Sequence, residues 1–377
     1  VSGSGQRIKW KRKEKMRLIS RRAPFLSLLI ICIVCWKGAD AQTVDLRIAA
    51  WNIEADIDGV TAPLPGVPTV LMGLGEENVN GIQKAPDILA LEETTSNSVT
   101  VQPIANDLDA DYPGSNWQIG PSGATEGGVV DDGNGPNTIT YNANTVTLIG
   151  SEGVGTPLGS TNGEYRQPMR YEFQPVGGTA ANDFYVYVNH SKSGSGTTNA
   201  LYRSEEAAII RADEATLPAN ASVLYVGDLN TSTTTVGDNL YVFTQTGQGQ
   251  AYDPAGFSSS YAYYSESDTY LEYRDDYELM TQNVLNDTGG LNYVSGSFHV
   301  FGNNGTTPYG QAANYSGNTA LSGLTNPSQA DVLYALTQAS DHYPVEADYY
   351  VLLPEPGSGL IAGGVVVLLR LRRRRAA

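Results

Sequence analysis

The chain has two cysteines in 377 residues, Cys32 and Cys35, and both fall inside one apolar run, FLSLLIICIVCW. Beyond that run disulfides and thiolate metal sites are excluded, so stability must come from packing, with a bound cation as the other available source. Histidine is as scarce: His190, His299 and His342 are all there are. Basic residues are few in the body, where eight of the 23 Lys and Arg lie between Gln42 and Pro354 against 37 of the 40 Asp and Glu. The formal charge of −17 therefore conceals a strongly acidic body between two basic ends. Eight scattered cations cannot line a long groove for a phosphate backbone, which excludes tight, non-specific DNA binding. Long apolar runs are missing too, the stretch 25–36 being shorter than the roughly 20 residues that a membrane-spanning helix needs. With no Pro-rich linker and no fixed-period repeat, a chain that is 41% apolar is read as one large domain with a real core.

The two ends read as addresses. Residues 16–41 combine a basic start, an apolar stretch and an Ala39-Asp40-Ala41 cleavage site, the layout of a secretory signal, which sets an N-terminal extension and signal over 1–41. At the other end Pro354-Glu355-Pro356 precedes a Gly-broken apolar run and the cluster Arg372 to Arg375. This tail resembles the PEP-CTERM sorting signal of Gram-negative bacteria. The resemblance implies that 353–377 is recognised and processed by sorting machinery at the membrane, and that the protein is exported to the cell surface or beyond. The other reading is a tail anchor held by a positive-inside cluster.

Between the ends, 42–352 alternates short strand-like runs with loops rich in Gly, Asn, Ser and Thr. DLRIAAWNIE predicts a strand, EENVNGIQKA a modest helix, and PDILALEE a buried strand. NTITYNANTVTLIGS reads as a hairpin turning at Asn142 to Asn144, and MRYEFQPVGGTAANDFYVYVNH as another through its Gly-Gly. TNALYRSEEAAIIRADEATL is the clearest helix, with Leu201, Ala208 and Ile209 on one side and Arg203, Glu206 and Arg211 available for surface pairing. ASVLYVGDLN follows as a buried strand.

Polar residues recur at one kind of place, the C-terminal end of an apolar run: Asn52, Glu93, His190, and Asp228 with Asn230. In α/β architectures such strand ends converge on a common crevice. Carboxylates suit an oxygen-seeking cation, amides orient without adding charge, and histidines move protons near neutral pH.

In order, LRIAAWNIE, PDILALEE, VNHSKSG, VGDLN, YRDDYELM and SDHYPV resemble the signatures of the endonuclease/exonuclease/phosphatase superfamily, the deoxyribonuclease I-like proteins. The resemblance spans roughly 45–350. It implies an α/β fold, a four-layer α/β/β/α sandwich, with the active site at one edge of two packed sheets. It also implies Mg²⁺, with Mn²⁺ or Ca²⁺ as alternatives, held by Glu93 with Asn52 and Asp341 close by. Glu92, where a Gln is common, would point the other way along its strand. Asp228 would polarise the nucleophilic water and Asn230 would hold a non-bridging phosphate oxygen. His190 would protonate the leaving oxygen or stabilise the phosphorane. His342 would contact the scissile phosphate or help take a proton from water, oriented by Asp276. The family usually has an apolar residue where Asp275 stands, so which of the two acids faces the histidine stays open. Arg166 and Lys192 are further candidates for phosphate contact. His299 matches no motif and reads as a structural or surface histidine.

The implied function is a secreted metal-dependent phosphoesterase, an extracellular nuclease or phosphodiesterase, acting on a phosphate ester that includes nucleic acid but without an extended basic groove. Alternatives are a phosphomonoesterase, a sphingomyelinase-like lipid phosphodiesterase, and a non-catalytic surface or matrix protein that keeps the fold. A calcineurin-like two-metal phosphatase needs more histidines than the chain has.

Overall fold

The alternation of apolar residues along 222–228 shows how the sheets are made. Leu224 and Val226 join one core cluster while Val223 and Tyr225 join another, the period-two signature of a strand buried on both faces. A computed structural model of the chain describes residues 42–55, 63–123, 135–155, 166–231, 233–266 and 271–353, all within one compact unit, Gln42–Pro354. The signal-like 1–41 and the tail from 354 onward lie outside the described residues.

Sheet 1 contains β1 (Gln42–Asn52), β4 (Ile88–Glu92), β5 (Trp117–Ile119), β6 (Thr138–Asn142), β13 (Asn292–Tyr293), β14 (His299–Val300) and β15 (Val345–Leu353). Its order is β13-β15-β1-β4-β6-β5, with β14 also paired to β15. Sheet 2 contains β7 (Val146–Gly153), β8 (Met169–Pro175), β9 (Phe184–Val188), β10 (Ser222–Asp228), β11 (Ala251–Tyr252) and β12 (Asp276–Thr281), in the order β11-β12-β10-β9-β8-β7. A small ribbon, β2 (Asn78–Val79) with β3 (Ile82–Gln83), stands apart. The sheets face each other across a core in which Ile48 and Ile88 of sheet 1 meet Phe184, Val186, Leu224 and Met280 of sheet 2.

Helices cover the outer faces. On sheet 1 lie α1 (Val67–Glu76), α2 (Gln102–Asp111) and α6 (Gln329–Ala339), with Val70, Leu71, Leu74, Val332 and Leu336 fully buried. On sheet 2 lie α3 (Thr197–Glu214) and the short α4 (Asn239–Phe243), where Ala207, Ile210, Leu240 and Phe243 pack on Tyr187 and Tyr225. One further turn, α5 (Gln282–Leu285), follows β12. The result is the four-layer α/β/β/α sandwich expected. Each fully buried Leu, Val or Phe in this double core contributes about 1.5–3 kcal/mol, which is how the fold holds without cross-links.

Three expectations about elements need correction. EENVNGIQKA is a hairpin, not a helix, because Asn80 (φ +53°) and Gly81 (φ +91°) take the left-handed conformations of a tight two-residue turn. The helix precedes it, at α1. NTITYNANTVTLIGS does turn after Asn142, but β6 pairs with β4 and β5 in sheet 1 while β7 pairs with β8 in sheet 2, so the turn passes between layers. On α3, Leu201 and Ala208 are exposed, and the buried side is Arg203, Glu206, Ala207, Ile210 and Glu214. Arg203 is held there by a bidentate pair with Asp238 at 2.7 and 2.8 Å and by the carbonyls of Lys192 and Gly194.

Candidate active site

Register and alternation deliver the first two acids together. Asp228 ends β10 and Asp276 begins the antiparallel β12 directly opposite, and both belong to the row that faces sheet 1. Across the gap Asn52 ends β1, parallel to β4 with Asn52 opposite Glu92. The loop before β15 carries Asp341 and His342 back to β1: Ser340 Oγ donates to the Asn52 carbonyl at 2.7 Å, and Trp51 Nε1 to the His342 carbonyl at 2.9 Å.

The side chains form a connected set around Asp228. His190 Nε2 lies 3.2 Å and His342 Nε2 3.7 Å from Asp228 Oδ2, and Asn230 donates to the same carboxylate from its backbone N (2.8 Å) and its Nδ2 (2.9 Å). Asn52 Nδ2 donates to Glu93 Oε1 at 3.1 Å and reaches Asp228 Oδ2 at 3.4 Å. Glu93 Oε1 stands 3.7 Å from His190 Nε2. His342 Nδ1 meets Asp276 Oδ2 at 2.8 Å, and Ser265 Oγ donates to that oxygen at 2.6 Å. Asp276, not Asp275, is thus the partner of the histidine; the Asp275 side chain lines an open cleft together with Glu266.

Environment divides the titrating groups. Burial would raise Asp228, but the neighbouring His190 and His342 and the Asn230 hydrogen bond bring it down to about 2, so it stays ionised. Burial and the nearby Arg166 push His190 down to about 4, leaving a neutral ring with Nε2 3.2 Å from Asp228 Oδ2. Burial works against charge on His342 as well, yet Asp276 and Asp228 hold its proton well above the ordinary histidine range. Glu93 is pushed up to about 7 by burial, partly offset by Arg166 and Asn52. Two imidazoles within reach of one carboxylate therefore differ: one is a neutral donor, the other a charged donor.

Several expected placements change. Glu92 and Glu93 do not simply alternate, because Glu93 leaves the strand at φ +52° while Glu92 points across to sheet 2. There a Cβ on Gly227 (φ +120°) would fall 2.6 Å from Glu92 Oε1, so only glycine leaves room. Glu92 is fully buried, its oxygens accept no hydrogen bond among the described residues, and burial with Asp276 and Asp228 raises it far above the carboxylate range. Asn52, expected beside a cation, is turned so that its Nδ2 serves two carboxylates and its Oδ1 accepts from Glu54 N. Asp341 is partly exposed; its ligand oxygen, one from Glu266 and a His342 nitrogen lie within 4.8 Å of one another. Asn230 Nδ2 also donates to the Ser191 carbonyl. Arg166 and Lys192 are buried beside His190, Arg166 donating to the Ser191 carbonyl and Lys192 Nζ to the Ser193 carbonyl.

The oxygens of Glu93 and Asp341 suit a hard divalent cation, and the local excess of carboxylates gives such an ion something to neutralise. Ser265, Ser340 and Glu266 were missed. Ser340 stood inside the SDHYPV motif and could have been picked out; Ser265 and Glu266 carry no signal, because the bridge that brings 266 to His342 is long-range.

No protein-family model matches the sequence, and no curated protein is similar enough to match it. Among solved structures, the chain is similar to humanized D. rerio TDP2 with 14 mutations (13% identity, 81% of this chain and 98% of that one, TM-score 0.48). It is also similar to the human Nocturnin catalytic domain with bound sulfate (18%, 82% and 96%, 0.45) and to a mannosyl-6-phosphatase of Bacteroides thetaiotaomicron (14%, 81% and 99%, 0.46). Likenesses this loose leave the chemistry to be read from the side chains themselves.

Proposed function

We propose that this protein is a divalent-metal-dependent phosphoesterase that hydrolyses a phosphodiester by attack of water, acting as an exported nuclease or phosphodiesterase. The observation that carries the reading is the pair of imidazoles converging on Asp228, His190 at 3.2 Å and His342 at 3.7 Å, with His342 backed by Asp276 at 2.8 Å. A hydrolase of this kind needs an ionised acceptor to orient water and proton donors for the oxygens that gain charge. Asp228 supplies the first; His342 and His190 supply the second.

In this reading Asp228 accepts a hydrogen bond from the attacking water and receives its proton as the water oxygen bonds to phosphorus. The protonated His342 donates through Nε2 to a phosphoryl oxygen; the neutral His190 offers the leaving oxygen a hydrogen bond, and that oxygen takes its proton from solvent water as its bond to phosphorus breaks. Asn230 and Lys192 fix the phosphate. A cation held by Glu93 and Asp341 would supply Lewis-acid stabilisation of the same charge.

The cleft beside Asn230, about 1080 Å³, is lined by Thr231, Val236, Leu201, Tyr273, Glu266 and Asp275, among others. Its cation Arg203 is committed to Asp238, so a substrate meets few positive groups beyond the phosphate being cleaved. That favours a small diester or a short stretch of nucleic acid over a long tract. Export rests on the sequence pattern at 16–41 and in the tail.

The test is hydrolysis of bis-p-nitrophenyl phosphate, p-nitrophenyl phosphate and plasmid DNA under Mg²⁺, Mn²⁺ and Ca²⁺, before and after chelation. Diester cleavage that chelation abolishes and Mg²⁺ restores is expected. Silence on every ester with every ion would sink the reading in favour of a non-catalytic protein.

A further inference from the structure

On the helix side of sheet 1 a second group of ligand-type side chains converges. Glu77 follows α1, His299 lies on β14 and Glu346 on β15, and one ligand atom from each lies within 4.8 Å of the others. Glu77 and His299 stand in the wall of a cleft of about 510 Å³, while Glu346 is wholly buried.

The hydrogen bonds of this group are incomplete in an informative way. His299 Nδ1 donates to the Ser297 carbonyl at 2.8 Å, which leaves Nε2 turned toward Glu77 (2.9 Å) and Glu346 (3.5 Å). Neither oxygen of Glu346 accepts a hydrogen bond among the described residues. The nearest cation, Arg47, comes within 3.5 Å but spends its donors elsewhere: Nε and Nη2 go to Asp348, Nη2 also to Ile82, and Nη1 to the carbonyls of Leu74, Glu77 and Lys84. Protonating His299 would not repair this, since its single Nε2 proton lies closer to Glu77. A buried carboxylate without a donor is costly.

A divalent ion would serve all three groups at once. Arg47 is balanced by Asp348, so the charge left over is that of two carboxylates, Glu77 and Glu346. An Nδ1 proton on a backbone carbonyl is the usual outer contact of a metal-binding histidine. The 2.9 and 3.5 Å separations bracket the roughly 3.4 Å edge of a tetrahedron with zinc-ligand bonds of about 2.0–2.1 Å. Imidazole with two carboxylates suits zinc or a similar transition metal better than Ca²⁺ or Mg²⁺, which take oxygen.

We propose that Glu77, His299 and Glu346 form a structural Zn²⁺-type site, separate from the Asp228 cluster, that ties the end of α1 to β14 and β15. The full-length protein, stripped by a chelator and held in excess Mg²⁺, is titrated with Zn²⁺ while bound zinc is counted by mass spectrometry and the thermal midpoint is followed. Wild type should bind one equivalent more than His299→Ala, and its midpoint should rise with Zn²⁺ while that of the variant stays flat. Glu77→Gln, a milder change at a partly exposed position, should weaken the zinc affinity at least tenfold. Equal zinc uptake by wild type and both variants, or a wild-type midpoint indifferent to zinc, would overturn the site. Neither readout involves turnover, so the outcome is independent of the phosphoesterase reading.

Discussion

His342 is buried and His299 partly so, and both are anchored through Nδ1 and flanked by carboxylates that raise their pKa, yet the groups behind the two rings differ. The Nδ1 partner of His342 is the carboxylate of Asp276, which favours the imidazolium and makes the ring a charged donor. That of His299 is the Ser297 carbonyl, which fixes a tautomer without adding a full charge and leaves Nε2 between two acids. The acceptor behind a histidine thus fixes its orientation, and whether that acceptor carries charge sets how much of the ring's proton affinity comes from behind and how much from the acids in front. Sequence scarcity alone could not have separated the two.

The comparison breaks most visibly if His342 proves dispensable. His342→Ala and Asp228→Ala should each lower kcat on a diester about 10³-fold or more, the scale of a lost proton-transfer or charge-stabilising group. Circular dichroism and thermal midpoints should stay close to wild type, because both residues sit at a strand end and not among the apolar core. Near wild-type turnover in either variant would remove the site.

Asp276→Asn sharpens the contrast, since it gives His342 the neutral kind of partner that His299 has. The amide can still bond Nδ1, but the main charge holding the proton is gone, so the His342 pKa should fall. Turnover should drop about 10²-fold, and the alkaline limb of the pH-rate profile should move to lower pH, because the required imidazolium is lost earlier as pH rises. A profile that moves to higher pH would contradict the assignment of His342 as the protonated donor.

Most of the first cluster was legible in the sequence and almost none of the second. Asn52, Glu93, His190, Asp228 and Asn230 close apolar runs that could only be buried strands, and period-two alternation then carries Asp228 and Asp276 onto one face. What remained hidden depends on partners distant along the chain. Glu77 and His299 are 222 positions apart, and nothing local in either segment points to the other. The same holds for α3, where periodicity chose Leu201 and Ala208 as the core face. The protein buries Arg203 and Glu206 instead, because the 190–194 loop and Asp238 supply polar groups to meet them. The strand after Asn142 was readable as a strand, but which sheet it joins is settled by tertiary packing, not by its own alternation.

Glu206 extends the comparison to a carboxylate with neither an imidazole nor a full set of donors. It is buried on α3 against Lys192; Oε2 accepts from Lys192 N at 3.2 Å, and Oε1 accepts no hydrogen bond among the described residues. Burial outweighs the nearby Arg166 and Arg203 and pushes its pKa up to about 7. A folded value above the unfolded one, which is near 4.3, means that the native state binds this proton more tightly. Stability from this group is therefore present in full at acid pH, declines as pH climbs from about 4.5 to 7, and stays low above that. Glu206→Gln keeps the shape and an acceptor for Lys192 N but cannot ionise. In urea unfolding the variant should gain roughly 1–3 kcal/mol over wild type at pH 8, and that gain should vanish near pH 4.5. A gain of the same size at both pH values would mean that packing, not charge, separates the two proteins, and that this carboxylate is better served in the native state than its hydrogen bonds indicate.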